Sequence, residues 1–222
     1  MADITAPESD EAAIRAQEET AFYHEAALNA AWTGARLAIG GLSFLFGAFA
    51  FAYFYLESSN GHSKWMPAST TPPRAWYGAL IMALIVGGAL VQTIGLQQIK
   101  RGKKGPWMVS GVVALVMGLV GVVLQIIELL NLPFQPGMSG FASVFVGFYP
   151  VALVVWLGGM IWLEILVMRA RVIPAIHFVE QPPTYDETYA VQRFQSSLSA
   201  FTTVWNYIAI VTFIFWLLFY IR

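Results

Sequence analysis

The chain has 222 residues, 58% of them hydrophobic and 11% charged, with a formal net charge of −1. A soluble domain carries roughly twice that charged fraction, so water is excluded as the main surroundings, and nothing in the charge points to nucleic acid. The complete absence of cysteine removes disulfides, thiolate zinc sites, iron–sulfur clusters and cysteine-bound copper.

Residues 1–35 read as an N-terminal segment, partly helical, acidic and rich in alanine, with Ser9 as a candidate helix cap. That composition is not the basic-then-apolar pattern of a cleavable signal, so none is expected there. Residues 36–222 read as an all-α transmembrane domain. Five runs exceed the roughly 18 apolar residues that mark a spanning helix, at about 36–56, 76–98, 107–130, 141–168 and 199–221. Each is long enough for the ~30 Å hydrocarbon layer at about 1.5 Å per residue. Barrel strands are shorter and alternate in polarity, which these runs do not.

The connectors carry turn chemistry: SSNGHSKWMPASTTPPRA after the first span and NLPFQPGMSG after the third. Before the last span, RVIPAIHFVEQPPTYDETYAVQRFQ has room for a short helix. Lysine and arginine set the orientation. Nine lie on the side of the N-terminus, including four in IKRGKKG, against Lys64, Arg74 and Arg222 on the other. The positive-inside bias then predicts a cytoplasmic N-terminus and an external C-terminus. Trp65, Trp76 and Trp107 fall near the predicted interfaces, where amphipathic rings are favoured.

Small residues recur seven apart, which returns to one helix face and lets backbones approach closely. Gly34, Gly41 and Ala48 form one such row and Gly40 with Gly47 another. Gly88/Gly95, Gly111/Gly118 and Gly140/Gly147 repeat it on the following spans. Pro150 lacks an amide hydrogen and is expected to kink the fourth helix, with Gly158 and Gly159 softening it further.

His24, His62 and His177 all fall outside the predicted bilayer core, so a haem held by two histidines of this chain is not expected. Ionisable residues at depth are functional candidates by default. Glu164 lies four residues from the predicted end of its span, about 6 Å of rise, with Arg169 and Arg171 following. It reads as an interfacial anchor, with proton handling as the alternative. Glu128, near the outer end of the third span, reads as interfacial too. Gln92, Gln125, Trp205 and Asn206 are candidates for hydrogen bonds between helices. No paired carboxylates and no His–Glu couple stand inside a span, so neither a catalytic site nor a bound metal is expected.

Short matches in chain order carry a family resemblance. FGAFAFAYFYL resembles, with Tyr53 and Phe54, the helix ending Ala-Tyr-Phe in subunit III of haem–copper oxidases, cytochrome c oxidase among them. Trp65 and Pro67 are similar to the family's Trp-Pro pair. LVGVVLQIIEL resembles its Gly-x-x-Phe-x-x-x-Gln-x-x-Glu pattern through Gly121, Gln125 and Glu128. GGMIWLEILVMRAR, with Trp162, and VWNYIAIVTFIFWLLFYI, with Trp205 and Tyr220, resemble its last two helices. The form is the five-helix one. Departures are clear: the family's buried Glu falls at Leu42, its two histidines at Ala152 and Val155, and its terminal His and Asp at Asn206 and Ala209. Roles that need those side chains are not carried over; a packing role is.

The resemblance implies a non-catalytic accessory subunit in a bacterial cytoplasmic membrane. Haem and copper would reside on partner subunits I and II, small subunits or a quinol-oxidising complex could join, and structural phospholipid would bind this chain. A quinol oxidase or nitric oxide reductase subunit, a small transporter and an assembly scaffold remain open at this point.

Overall fold

The computed structural model describes residues 6–67 and 71–221, with side chains described except at 6–13, 62 and 63. The Ser9 cap, the His62 side chain and Arg222 lie outside the described residues. Five helices are long and apolar enough to cross a membrane: α1 (Ala6–Trp65), α2 (Ala75–Lys100), α3 (Lys104–Leu130), α4 (Gly140–Val172) and α5 (Tyr185–Trp216). The last passes into a π-helical turn at Leu217–Ile221. No strand occurs among the described residues. The chain is a multi-pass membrane protein. Without water in the hydrocarbon layer every backbone polar group must bond within its own segment, which a helix does.

The helices stop where the sequence gives them reason to. Gly61, at φ 61, breaks α1 one turn before its end, a conformation that other residues resist. After α2, Gly102 takes φ 75 and two bonds close the end: Gly102 N–H donates to the Ile99 carbonyl at 2.9 Å and Lys103 N–H to Gln98 at 2.9 Å. This is the Schellman arrangement, and it turns the chain into α3 within three residues. Ser139 caps α4 by accepting from Ala142 N–H at 3.0 Å, and Ile173 is held extended before Pro174. Thr184 caps α5, accepting from Glu187 N–H at 3.4 Å. Asp186 and Glu187 add negative charge in its first turn.

Three boundaries differ from the sequence reading. No break separates an N-terminal segment from the first span, because α1 runs unbroken from Ala6 to Gly61, about 80 Å at 1.5 Å per residue. The fifth helix begins fourteen residues earlier than predicted, at Tyr185, and the connector before it holds only a 3-10 turn at Ala175–Phe178. These two extensions support each other at the basic end. His24 stacks on Tyr185 and Tyr189, with ring centroids 5.3 and 4.5 Å away, and Ser196 donates to the Leu28 carbonyl at 2.7 Å. The fourth helix continues to Val172 and runs through Pro150 without interruption.

The central helix is α5, which packs on α1, α2 and α4; α3 fills the space between α2 and α4. Aromatic rings fill the end opposite the basic loops. Phe148 stacks on Phe215 at 4.0 Å between centroids, and Trp65 packs edge-on to Tyr53 at 4.9 Å. Trp65 and Trp107 are buried in the protein rather than facing an interface; Trp76 is exposed.

The seven-residue rows divide into two kinds. A Cβ on Gly118 would overlap the Met160 side chain. One on Gly95 would come within 2.8 Å of Ser110 Cβ, and one on Gly140 within 2.8 Å of the Trp65 ring. Gly111 and Gly88 meet Val167 and the Ala114 backbone at 3.2 and 3.5 Å, and Gly147 meets Phe49 at 3.5 Å. In α1 the row has no neighbour among the described residues: a Cβ on Gly34, Gly40, Gly41 or Gly47 would meet nothing within 4 Å. Only 11% of the α1 spanning window is buried, against 33–44% for the other four.

Instead α1 presents an outward seam. Gly34, Leu37, Gly41, Phe44, Ala48, Phe51 and Tyr55 are all exposed, at alternating steps of three and four, the a and d spacing of a heptad. Small residues hold the first three a positions and large ones the d positions. Phe44, at the middle, is 83% exposed.

Candidate functional site

The acid that the structure singles out is Glu128, not Glu164. Glu164 is exposed on α4, eight residues before the end of the helix at Val172. It makes no hydrogen bond or ion pair among the described residues, so the anchoring to Arg169 or Arg171 is not made within this chain. Glu164→Gln is expected to leave the chain's thermal unfolding midpoint in detergent unchanged within about 0.5 kcal/mol of stability, as for surface positions without special contacts.

Glu128, in the last turn of α3, is only 8% exposed. The cause is tertiary. Gln125 and Glu128 are three apart and so share a face of α3, and the Gln125 amide donates to Glu128 Oε2 at 2.9 Å. The Tyr220 hydroxyl donates to the same oxygen at 2.6 Å. Gln125 thus bonds along its own helix rather than across to a neighbour.

Two local features bring Tyr220 there. The wider π turn at Leu217–Ile221 alters the direction in which the last side chains leave α5, as single π turns do at many sites. Tyr53 of α1 holds that turn by donating to the Leu218 carbonyl at 2.9 Å. On the far side, Gly78 of α2 has no side chain, and a Cβ there would overlap the Tyr220 ring. Tyr149 of α4 lies beside it, 6.4 Å between ring centroids.

A cavity of about 390 Å³ opens next to this cluster, between the first turn of α2 and the last turn of α3. Arg74 and Tyr77 line it from α2, Glu128 and Asn131 from α3, and Pro73 and Leu132 form apolar wall. The Tyr77 hydroxyl donates to the Leu124 carbonyl at 3.1 Å, tying the two helices together. Glu128 Oε1 and Gln125 Oε1 are buried with no hydrogen-bond partner. An unsatisfied buried acceptor costs about 1–3 kcal/mol.

A second polar group lies deeper. Asn206 Oδ1 faces the Thr93 hydroxyl at 3.1 Å, a bond between α5 and α2. Gln92, expected to bond between helices, is fully buried with both amide atoms unpartnered. Trp205 is buried with its indole N–H unpartnered; its ring stacks on Phe201, 6.0 Å between centroids, and presses on Gly159. Gly159 therefore makes room for a ring. Trp162 is half-buried, edge-on to Phe201 at 5.4 Å. Tyr53 is buried and Phe54 exposed.

The arrangement can accept a hydrogen bond or a positive charge at one carboxylate. No group of three or more His, Cys, Asp or Glu able to hold a metal ion occurs among the described residues. The sequence reading included Gln125, Glu128 and Tyr220 but not Arg74, Tyr77, Gly78 or Tyr149 as companions. The Gln-x-x-Glu spacing at a helix end was the available signal. No protein-family model matches the chain, and no curated protein matches it.

Proposed function

We propose that this chain is a non-catalytic accessory subunit of a membrane-bound respiratory assembly, a haem–copper terminal oxidase of the bacterial cytoplasmic membrane. Its N-terminus lies in the cytoplasm, and haem and copper reside on the partner subunits that reduce oxygen to water. The chain supports assembly, lipid retention and stable proton uptake by holding shape around the catalytic partner. The resemblance in chain order from Tyr53 to Tyr220 supplies the oxidase; the physical reading supplies the subunit role.

The observation that supports a subunit role is the seam on α1. Glycine and alanine at alternate positions leave hollows between Leu37, Phe44 and Phe51, and close approach of backbones is a main source of helix association in lipid. Self-pairing fits poorly. Two copies in one membrane run parallel, which sets a positions against a and d against d, so Phe44 would meet Phe44 and Gly41 would meet Gly41. A partner helix with large residues opposite Gly41 and small ones opposite Phe44 fits instead.

Because the natural chain has no cysteine, a single introduced thiol reports without background. Phe44→Cys carrying a photoreactive maleimide, irradiated in native membranes, should give an adduct with a second polypeptide that co-purifies with haem. The same probe at Val116, exposed on α3, should give far less. Adducts at position 44 with a second copy of this chain, or with lipid alone, would count against the reading.

A further inference from the structure

We infer that the cavity between the ends of α2 and α3 binds a zwitterion that carries a primary ammonium and a phosphate, as an ethanolamine phosphate group does, with the ammonium at Glu128 and the phosphate at Arg74. The two helices are antiparallel neighbours, so α2 begins where α3 ends. A helix start carries about half a positive charge and a helix end about half a negative one. The cavity therefore has a positive wall and a negative wall.

Side chains reinforce both poles. Arg74 is the residue that precedes α2 and lines the cavity. Glu128, in the last turn of α3, lines it from the other side. The two charges do not pair with each other, although they share the cavity. Glu128 Oε2 already accepts from Gln125 and Tyr220, while Oε1 is buried without a donor. A group bringing N–H donors supplies the missing partner when the Glu128 carboxylate turns its second oxygen into the cavity that the residue lines. An ammonium has three such donors; a trimethylammonium has none.

Size and wall chemistry argue against a bare ion. The volume of about 390 Å³ lies in the range of small-molecule sites, ~300–1,000 Å³, and a lone carboxylate gives a metal ion too few ligands. Pro73 and Leu132 offer contact to carbon. The site lies at the helix ends, the level of the headgroups, so the same chemistry can arrive on a phospholipid or as a free molecule.

Native mass spectrometry of the full chain, released from dodecyl maltoside micelles, tests this. The micelles hold equimolar phosphatidylethanolamine, phosphatidylcholine and phosphatidylglycerol with matched acyl chains; a second arm adds free phosphoethanolamine. Phosphatidylethanolamine should be retained about tenfold over the other two, a preference of roughly 1.4 kcal/mol. Glu128→Gln should bring the three within about twofold of one another, since a neutral amide no longer favours the ammonium. Arg74→Gln, at an exposed position that does not disturb the fold, should lower phosphatidylethanolamine retention about fivefold by removing the phosphate contact. If free phosphoethanolamine competes with the lipid, and Glu128→Gln or Arg74→Gln abolishes that competition, the site stands with a soluble ligand. Equal retention of all three lipids, or a preference unchanged by both substitutions, overturns the assignment.

Discussion

Gly118→Leu should destabilise the isolated chain by about 2–3 kcal/mol or prevent its folding, whereas Gly41→Leu should leave the unfolding midpoint almost unchanged. The two glycines belong to the same kind of seven-residue row. At Gly118 even a Cβ overlaps the Met160 thioether of α4. Met160 is buried and can shift a little, since methionine is flexible. The full leucine side chain still has to separate α3 from α4. A Cβ on Gly41 would meet nothing within 4 Å among the described residues. Thermal unfolding in a mild detergent reads the difference, and co-purification reads its complement: Gly41→Leu should lose the partner while the chain itself remains folded. Equal unfolding midpoints for the two variants would contradict the division of the rows into inward and outward faces.

Tyr220→Phe is expected to cost about 1.5–3 kcal/mol, the range for a hydrogen bond to a charged group. The substitution keeps the ring against Gly78 and Phe145 and removes only the hydroxyl that donates to Glu128 Oε2 at 2.6 Å. The carboxylate then keeps Gln125 as its single donor. Replacing Glu128 by Leu as well should recover part of the loss, because the buried acceptor goes with it. In a double-mutant cycle the coupling between positions 128 and 220 should exceed roughly 1 kcal/mol, well above the ~0.3–0.5 kcal/mol scatter of independent sites. Additive losses would show that the bond between the ends of α3 and α5 contributes nothing measurable.

The five spans were legible in the sequence because a helix that must bury its own backbone in lipid needs one uninterrupted apolar run, and each run is visible. Their ends were less so. The polar stretches 6–35 and 185–198 carry no membrane signal, and they meet through His24 against Tyr185 and Ser196 against the Leu28 carbonyl. Local composition cannot report a contact between residues 168 apart. Glu128 shows the same limit. Its place near a helix end suggests water, but Tyr220, 92 residues later in the chain, covers it. The glycine rows show a different one: the spacing announces that something approaches closely, and it is silent on whether that neighbour belongs to this chain. In α2 and α3 it does; for α1 no such neighbour lies among the described residues.

We propose that this polypeptide serves a catalytic partner rather than acting alone. The most direct measurement is affinity purification of the full chain from its native membrane in a mild detergent, with a visible spectrum of the product and identification of what accompanies it. The account expects a haem spectrum and stoichiometric oxidase subunits, with Gly41→Leu releasing both from a chain that stays folded. A folded chain recovered without any haem-bearing partner, under conditions that keep other respiratory complexes whole, would contradict it.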